Sequence, residues 1–133
     1  MDGEIIQCVP IDEMAYASNT RNSDTVSIEC CHPGKDGRFT EETYASLVRL
    51  TAWLCRELDL KPKDVIRHYD ITEKACPKYF VDHPDEWKEF PEGCEGSHEG
   101  INVPQLYSLE LSAKSILIVY RNIGCRGSRH QKH

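Results

Sequence analysis

A stretch of helical periodicity set between two β-branched stretches limits this chain's folding choices more than any other feature. Tyr44, Leu47, Leu50 or Thr51, Leu54 and Leu58 recur at intervals of three and four residues, the spacing of one face of an α-helix. The helix expected from them covers residues 41 to 59. Thr40 suits its N-cap, Glu41 and Glu42 favour its first turn, and Lys61-Pro62 closes it. Phe39 and Tyr44 occupy the two positions of a hydrophobic staple. Upstream, Thr25-Val26-Ser27-Ile28-Glu29-Cys30 alternates and is β-branched, as a strand requires. Val26, Ile28 and Cys30 would face one side of it, and Thr25, Ser27 and Glu29 the other. Downstream, Val65-Ile66-Arg67-His68 reads as a short strand that delivers His68 at its C-terminal end.

The other segments are less regular. Residues 4–9 follow the turn signal Asp2-Gly3 and end at Pro10, which suits a strand. Such a strand would be the second arm of a hairpin whose first arm lies before Met1. Residues 18–24 read as a polar surface loop, and His32-Pro33-Gly34-Lys35-Asp36-Gly37 as a turn-rich one. Pro84 opens a helix in which Trp87 and Phe90 share a face. From Pro91 onward, Gly93, Gly96 and Gly100 are expected to break any element. Residues 101–120 lack firm periodicity, and the basic, polar residues 124–133 are expected to be disordered. The division expected is a domain over 1–90 and a tail over 91–133.

The length of 133 residues suits one domain with a modest core. The net charge of −6 has no dense basic patch set against it, which argues against nucleic-acid and anionic membrane partners. The longest apolar run, residues 116–120, is the length of a strand and too short to cross a bilayer. No basic region followed by an apolar stretch opens the chain, so no signal peptide is expected. A secreted protein would then require export by another route, or lysis. Oligomeric state is not legible. The seven cysteines are an odd number with no CxxC pair, a reduced or mixed-use set rather than a disulfide framework. Cys8, Cys30 and Cys55 sit in apolar patterns and read as small buried hydrophobes.

Chemistry concentrates in Arg67-His68-Tyr69-Asp70-Ile71-Thr72-Glu73-Lys74-Ala75-Cys76-Pro77. A neutral imidazole and a thiolate are both zinc ligands, and His68 and Cys76 are two such donors across one loop. Hydrolytic zinc takes three protein ligands and an open position for water, so the pair is also readable as a surface histidine and a buried thiol. Lys74 suits an oxyanion-stabilising cation or an exposed loop lysine. Asp70 could orient His68 or cap the loop. Glu29 could accept a proton from an attacking water, with burial raising its pKa, or be a half-exposed strand glutamate. His32 could be a substitute ligand or a turn histidine. His83 reads as structural or exposed, and His98, His130 and His133 fall in weakly ordered sequence.

These pieces, in this order, resemble the type 2 family of zinc-dependent N-acetylmuramoyl-L-alanine amidases, whose fold phage endolysins, bacterial autolysins and peptidoglycan recognition proteins share. The residues that carry the resemblance are Gly3 through Pro10, Ser27-Ile28-Glu29-Cys30-Cys31, Thr51-Ala52-Trp53-Leu54-Cys55, and Ile66 through Asp70 with Lys74-Ala75-Cys76-Pro77. The resemblance implies a central mixed sheet flanked by helices. It implies hydrolysis of the amide joining N-acetylmuramic acid to L-alanine in bacterial peptidoglycan, with Zn2+ as cofactor. It makes His68 and Cys76 metal ligands, Glu29 the acid–base residue and Lys74 the group that polarises the carbonyl. Tyr16 and Asn19 would lie in the loop that borders the glycan cleft. Many members carry a histidine near the position of Ala17, which this chain lacks. The family's first zinc histidine lies on a strand upstream of the position matching Gly3, so the expectation is a domain truncated at its start. The alternatives are an inactive peptidoglycan-binding relative, a fragment lacking one zinc ligand, or a small α/β interaction domain in which Cys76 is merely a buried thiol.

Overall fold

The computed structural model describes residues 3–95 and, for the main chain, residues 115–122. Its regular elements are strand β1 (Thr25–His32), helix α1 (Glu41–Glu57), strand β2 (Val65–Arg67), the short helices α2 (Tyr69–Thr72) and α3 (Lys78–Asp82), helix α4 (Pro84–Glu95) and strand β3 (Ser115–Asn122). The strands form a three-stranded sheet in the order β1-β3-β2. Both pairings are parallel, with Ile28 opposite Ile118 on one side of β3 and Arg67 opposite Ile118 on the other. An α/β arrangement is therefore present. The antiparallel component of a mixed sheet is not found among the described residues.

Helix α1 forms where the periodicity placed it. The Thr40 side chain accepts a hydrogen bond from Thr43 N–H, and Glu41 and Glu42 occupy the first turn, where carboxylates complement the helix dipole. Leu47, Thr51 and Leu54 are buried along its inner face. Leu47 and Leu54 meet Ile28 and Cys30 from β1, Val65 from β2, and Phe80 and Phe90 from the later helices in one core. On β1 the alternation holds, with Ile28 and Cys30 buried and Glu29 exposed. Phe39 packs on Tyr79 and Phe80, while Tyr44 packs edge-on to Phe90. The two residues at the staple positions thereby fasten α1 to α3 and α4.

An aromatic cluster joins the later helices to the core. Phe80, 1% exposed, touches the rings of Phe39, Tyr79, Trp87 and Phe90 at centroid distances of 5.1 to 6.1 Å. Trp87 and Phe90 stack at 5.8 Å, so the shared face expected for them holds. Gly37 has φ +77°, and a Cβ there would lie 3.0 Å from both Lys78 Cβ and Tyr79 N. The turn after β1 can therefore press against the start of α3 only with glycine in this place.

Several expectations change. Residues 4–8 form no strand; Ile6 is 71% exposed. A strand requires a neighbour to accept its main-chain hydrogen bonds, and none pairs with this segment among the described residues. Cys8 is exposed with it, against the expectation of burial; Cys30 is buried and Cys55 intermediate. Pro91 and Gly93 do not end the last helix, because α4 continues through them to Glu95. Phe90, Pro91 and Cys94 are its buried residues, so burial of that face outweighs the weak helical preference of proline and glycine. The boundary expected at residue 90 falls inside α4, and β3, from the 91–133 segment, lies between β1 and β2. The readings of residues 124–133 and of His98, His130 and His133 lie outside the described residues.

Candidate functional site

Strand β2 ends at Arg67, and His68 is the N-cap residue of α2. The turn is set by Asp70, whose Oδ2 accepts the Arg67 main-chain N–H at 2.8 Å. The carboxylate also receives the Arg67 guanidinium, with Nη2 to Oδ1 at 2.7 Å. Helix α2 lasts about one turn. Glu73, at its C-cap, has φ +61°, a left-handed conformation that stops a helix. The chain then doubles back, and Tyr69 N–H donates to Cys76 C=O at 2.8 Å. His68 and Cys76 are therefore brought to the two feet of one closed loop. The Cys76 side chain is 3% exposed and packs on Ile66 and Ile71.

His68 also meets a second loop. Its Nε2 lies 3.0 Å from Asn19 Oδ1, so with a proton on Nε2 the imidazole donates to the amide oxygen. Asn19 has φ +55° and opens a short 3-10 turn, Asn19–Arg21. That loop is braced at its base. The buried Ser18 hydroxyl lies 2.8 Å from Thr25 Oγ1 and donates to Asn22 Oδ1, and Arg21 pairs with Asp24 at 2.8 Å. Burial pushes the His68 pKa below its ordinary value, and the Lys74 ammonium adds to the effect. Both influences favour the neutral imidazole, the form that can ligate a metal or accept a proton.

The remaining candidates are placed differently. Lys74 is exposed on the loop, near enough for its charge to be felt at His68. Asp70 binds Arg67, through both its main-chain N–H and its guanidinium, and so serves as the cap of the loop. Glu29 is exposed on the face of β1 opposite Ile28 and Cys30, nearer the strand-glutamate alternative than the buried one. Tyr16 is 84% exposed. His32 is fully buried, with Nδ1 2.7 Å from Gly34 C=O, which matches the turn-histidine alternative. His83 is exposed beside the Tyr79 ring at 4.3 Å. Burial pushes the Cys30 thiol up to about 12, with the nearby Cys31, Cys76 and Glu29 adding to the shift, so Cys30 remains a protonated apolar side chain.

The structure thus joins His68, Asn19, Lys74 and the foot of the loop at Cys76. The contact between Asn19 and His68 was not legible, since nothing in the spacing of residues 19 and 68 marks it. Arg67 was also missed as an organising residue; Asp70 three positions on was its only sequence signal.

The donor set tests whether zinc fits. Among the described residues, no three His, Cys, Asp or Glu side chains converge to hold a metal ion. His68 and Cys76 are two donors where hydrolytic zinc takes three. The described residues therefore do not fit that ion. Among the described residues, no helix is long and apolar enough to cross a membrane.

Residues 1–79, which include Tyr16, Asn19, Glu29, His68, Asp70, Lys74 and Cys76, match the family described as N-acetylmuramoyl-L-alanine amidase. The chain is 32% identical over 85 residues to the N-acetylmuramoyl-L-alanine amidase CwlL of Bacillus licheniformis, covering 55% of this chain and 23% of that protein. It is 34% identical over 85 residues to a probable N-acetylmuramoyl-L-alanine amidase of the same organism, covering 55% and 24%. To the N-acetylmuramoyl-L-alanine amidase BlyA of Bacillus subtilis (strain 168) it is 27% identical over 121 residues, covering 75% and 33%. The aligned part thus spans about a quarter to a third of these relatives' length. No solved structure matches the chain.

Proposed function

The chain belongs to the N-acetylmuramoyl-L-alanine amidase family, and from that premise we propose that it acts on bacterial peptidoglycan, hydrolysing the amide between N-acetylmuramic acid and L-alanine. The observation that carries this reading is the closed loop that sets His68 beside Asn19 with the Lys74 charge close by, within the matched residues. The Lys74 ammonium would stabilise the oxyanion that forms when the amide carbonyl is attacked. Glu29, exposed on β1, would take the proton of the attacking water. Asn19 and Tyr16 would contact the glycan along the loop that borders His68. In the family's mixed sheet flanked by helices, the described parallel strands would be one part.

Zinc supplies Lewis-acid activation of water and carbonyl in such chemistry. His68 and Cys76 are the donors this chain offers toward it. Among the described residues there is no third donor to join them. That same observation favours a second reading, in which the chain binds peptidoglycan without cutting it.

One experiment separates the readings. The purified chain is dialysed against zinc, its metal content is measured, and it is incubated with insoluble peptidoglycan while new L-alanine amino termini are counted. Near-stoichiometric zinc with release of L-alanine termini, both lost in His68→Ala, supports the amidase. Co-sedimentation with the wall, without zinc or release, supports the binding reading. Neither release nor co-sedimentation removes peptidoglycan as the target.

A further inference from the structure

Arg67 immediately precedes His68 and gathers more of this region than any neighbour. Its side chain is only 14% exposed. Its guanidinium donates from Nη2 to Asp70 Oδ1 at 2.7 Å and from Nη1 to the Phe80 carbonyl at 3.1 Å. Its carbon centre lies 5.2 Å from the Tyr69 ring centroid and 5.3 Å from that of Trp87. Four elements therefore meet at one planar cation: β2 through its backbone, α2 through Asp70 and Tyr69, α3 through Phe80, and α4 through Trp87. Phe80 and Trp87 are themselves fixed in the aromatic cluster.

We propose that Arg67 is a positioning residue, which clamps the His68–Cys76 loop onto the α3–α4 unit and so fixes where His68 and Lys74 stand. The argument is geometric. The loop's own closure consists of short-range hydrogen bonds in residues 68–76, and none of these determines how the loop sits on the rest of the molecule; the contact of His68 with Asn19 ties it to one other surface turn. Ile66, Ile71 and Cys76 add a small apolar contact beneath it. A guanidinium is suited to the remaining task, because its fork reaches a carboxylate and a carbonyl together while its faces lie on aromatic rings. Lysine offers one compact charge and cannot hold both arms and both rings at once. The proposal rests on the amidase reading only where activity is concerned; the clamp itself is a property of the fold.

Amide hydrogen exchange tests it in wild type, Arg67→Ala, Arg67→Lys and the milder Asp70→Asn, which loses one arm. The amides of Tyr69, Glu73 and Cys76 report on the loop, and those of α1 on the whole fold. In Arg67→Ala the loop amides should exchange faster by about tenfold beyond any change in α1, as expected for local opening. Arg67→Lys should leave α1 near wild type and the loop still unprotected. Asp70→Asn should show the same pattern at smaller amplitude. Equal acceleration in loop and α1 would reduce Arg67 to general stability and overturn the proposal. So would wild-type protection in Arg67→Lys, or no change in any variant. If the wild type releases L-alanine termini, Arg67→Lys should lower kcat more than it raises KM. A wild type that cleaves nothing ends the amidase reading and leaves the exchange result standing.

Discussion

The chemistry of this protein rests on a few side chains whose states their neighbours set. His68 is the clearest. Desolvation and the Lys74 charge both act against its protonated form, so its folded-state pKa lies below the unfolded one. The unfolded chain then binds the proton at higher pH. The stability this group contributes is fully present above the unfolded pKa and is lost as pH falls through the folded one. Lys74→Ala removes only the second influence. The His68 imidazole midpoint, followed by NMR, should rise in that variant and remain below the ordinary histidine value, because the desolvation persists. A midpoint unmoved by the substitution would mean that Lys74 is not directed toward His68. Asp70 illustrates how a residue type leaves its role open. Its carboxylate could serve His68 or cap the loop, and only the position of Arg67 shows which contact it makes.

The elements differ in how much of each is set locally. Helix α1 needs little help: the Thr40 cap, two acidic residues in the first turn and a continuous apolar stripe all agree. Helix α4 is the opposite case. It contains Pro91 and Gly93 and persists because Phe90, Pro91 and Cys94 are buried. Its anchor is the aromatic cluster centred on Phe80. Phe80→Ala would remove a ring that contacts Phe39, Tyr79, Trp87 and Phe90 and should destabilise the fold by about 3–5 kcal/mol, the range for deleting a buried phenyl ring. Urea unfolding followed by tryptophan fluorescence would measure it. A loss under about 1 kcal/mol would mean the cluster collapses around the gap or is not close-packed.

At the scale of the molecule, the order β1-β3-β2 makes the last described segment the centre of the sheet. Ile118 lies opposite Ile28 of β1 and Arg67 of β2 at once. Ile118→Pro removes a main-chain donor from a central strand, where proline is not tolerated, and should abolish cooperative unfolding. A far-UV circular dichroism melt as sharp and as high as wild type would show that β3 does not hold the two outer strands together. The sequence alone was enough to place α1, the alternation of β1, the loop bearing His68 and Cys76, and the family resemblance, because each is written in residues near one another along the chain. It gave residues 4–9 a strand pattern that finds no pairing partner among the described residues, and it divided the chain at residue 90, inside α4. Only the tertiary structure brought Asn19 to His68, closed Arg67 onto Phe80 and Trp87, and inserted β3 between β1 and β2. The reason is physical. Caps and periodicities are local energies that a short window of sequence contains, whereas these contacts join residues far apart in the chain and exist only once the core has fixed where each element lies.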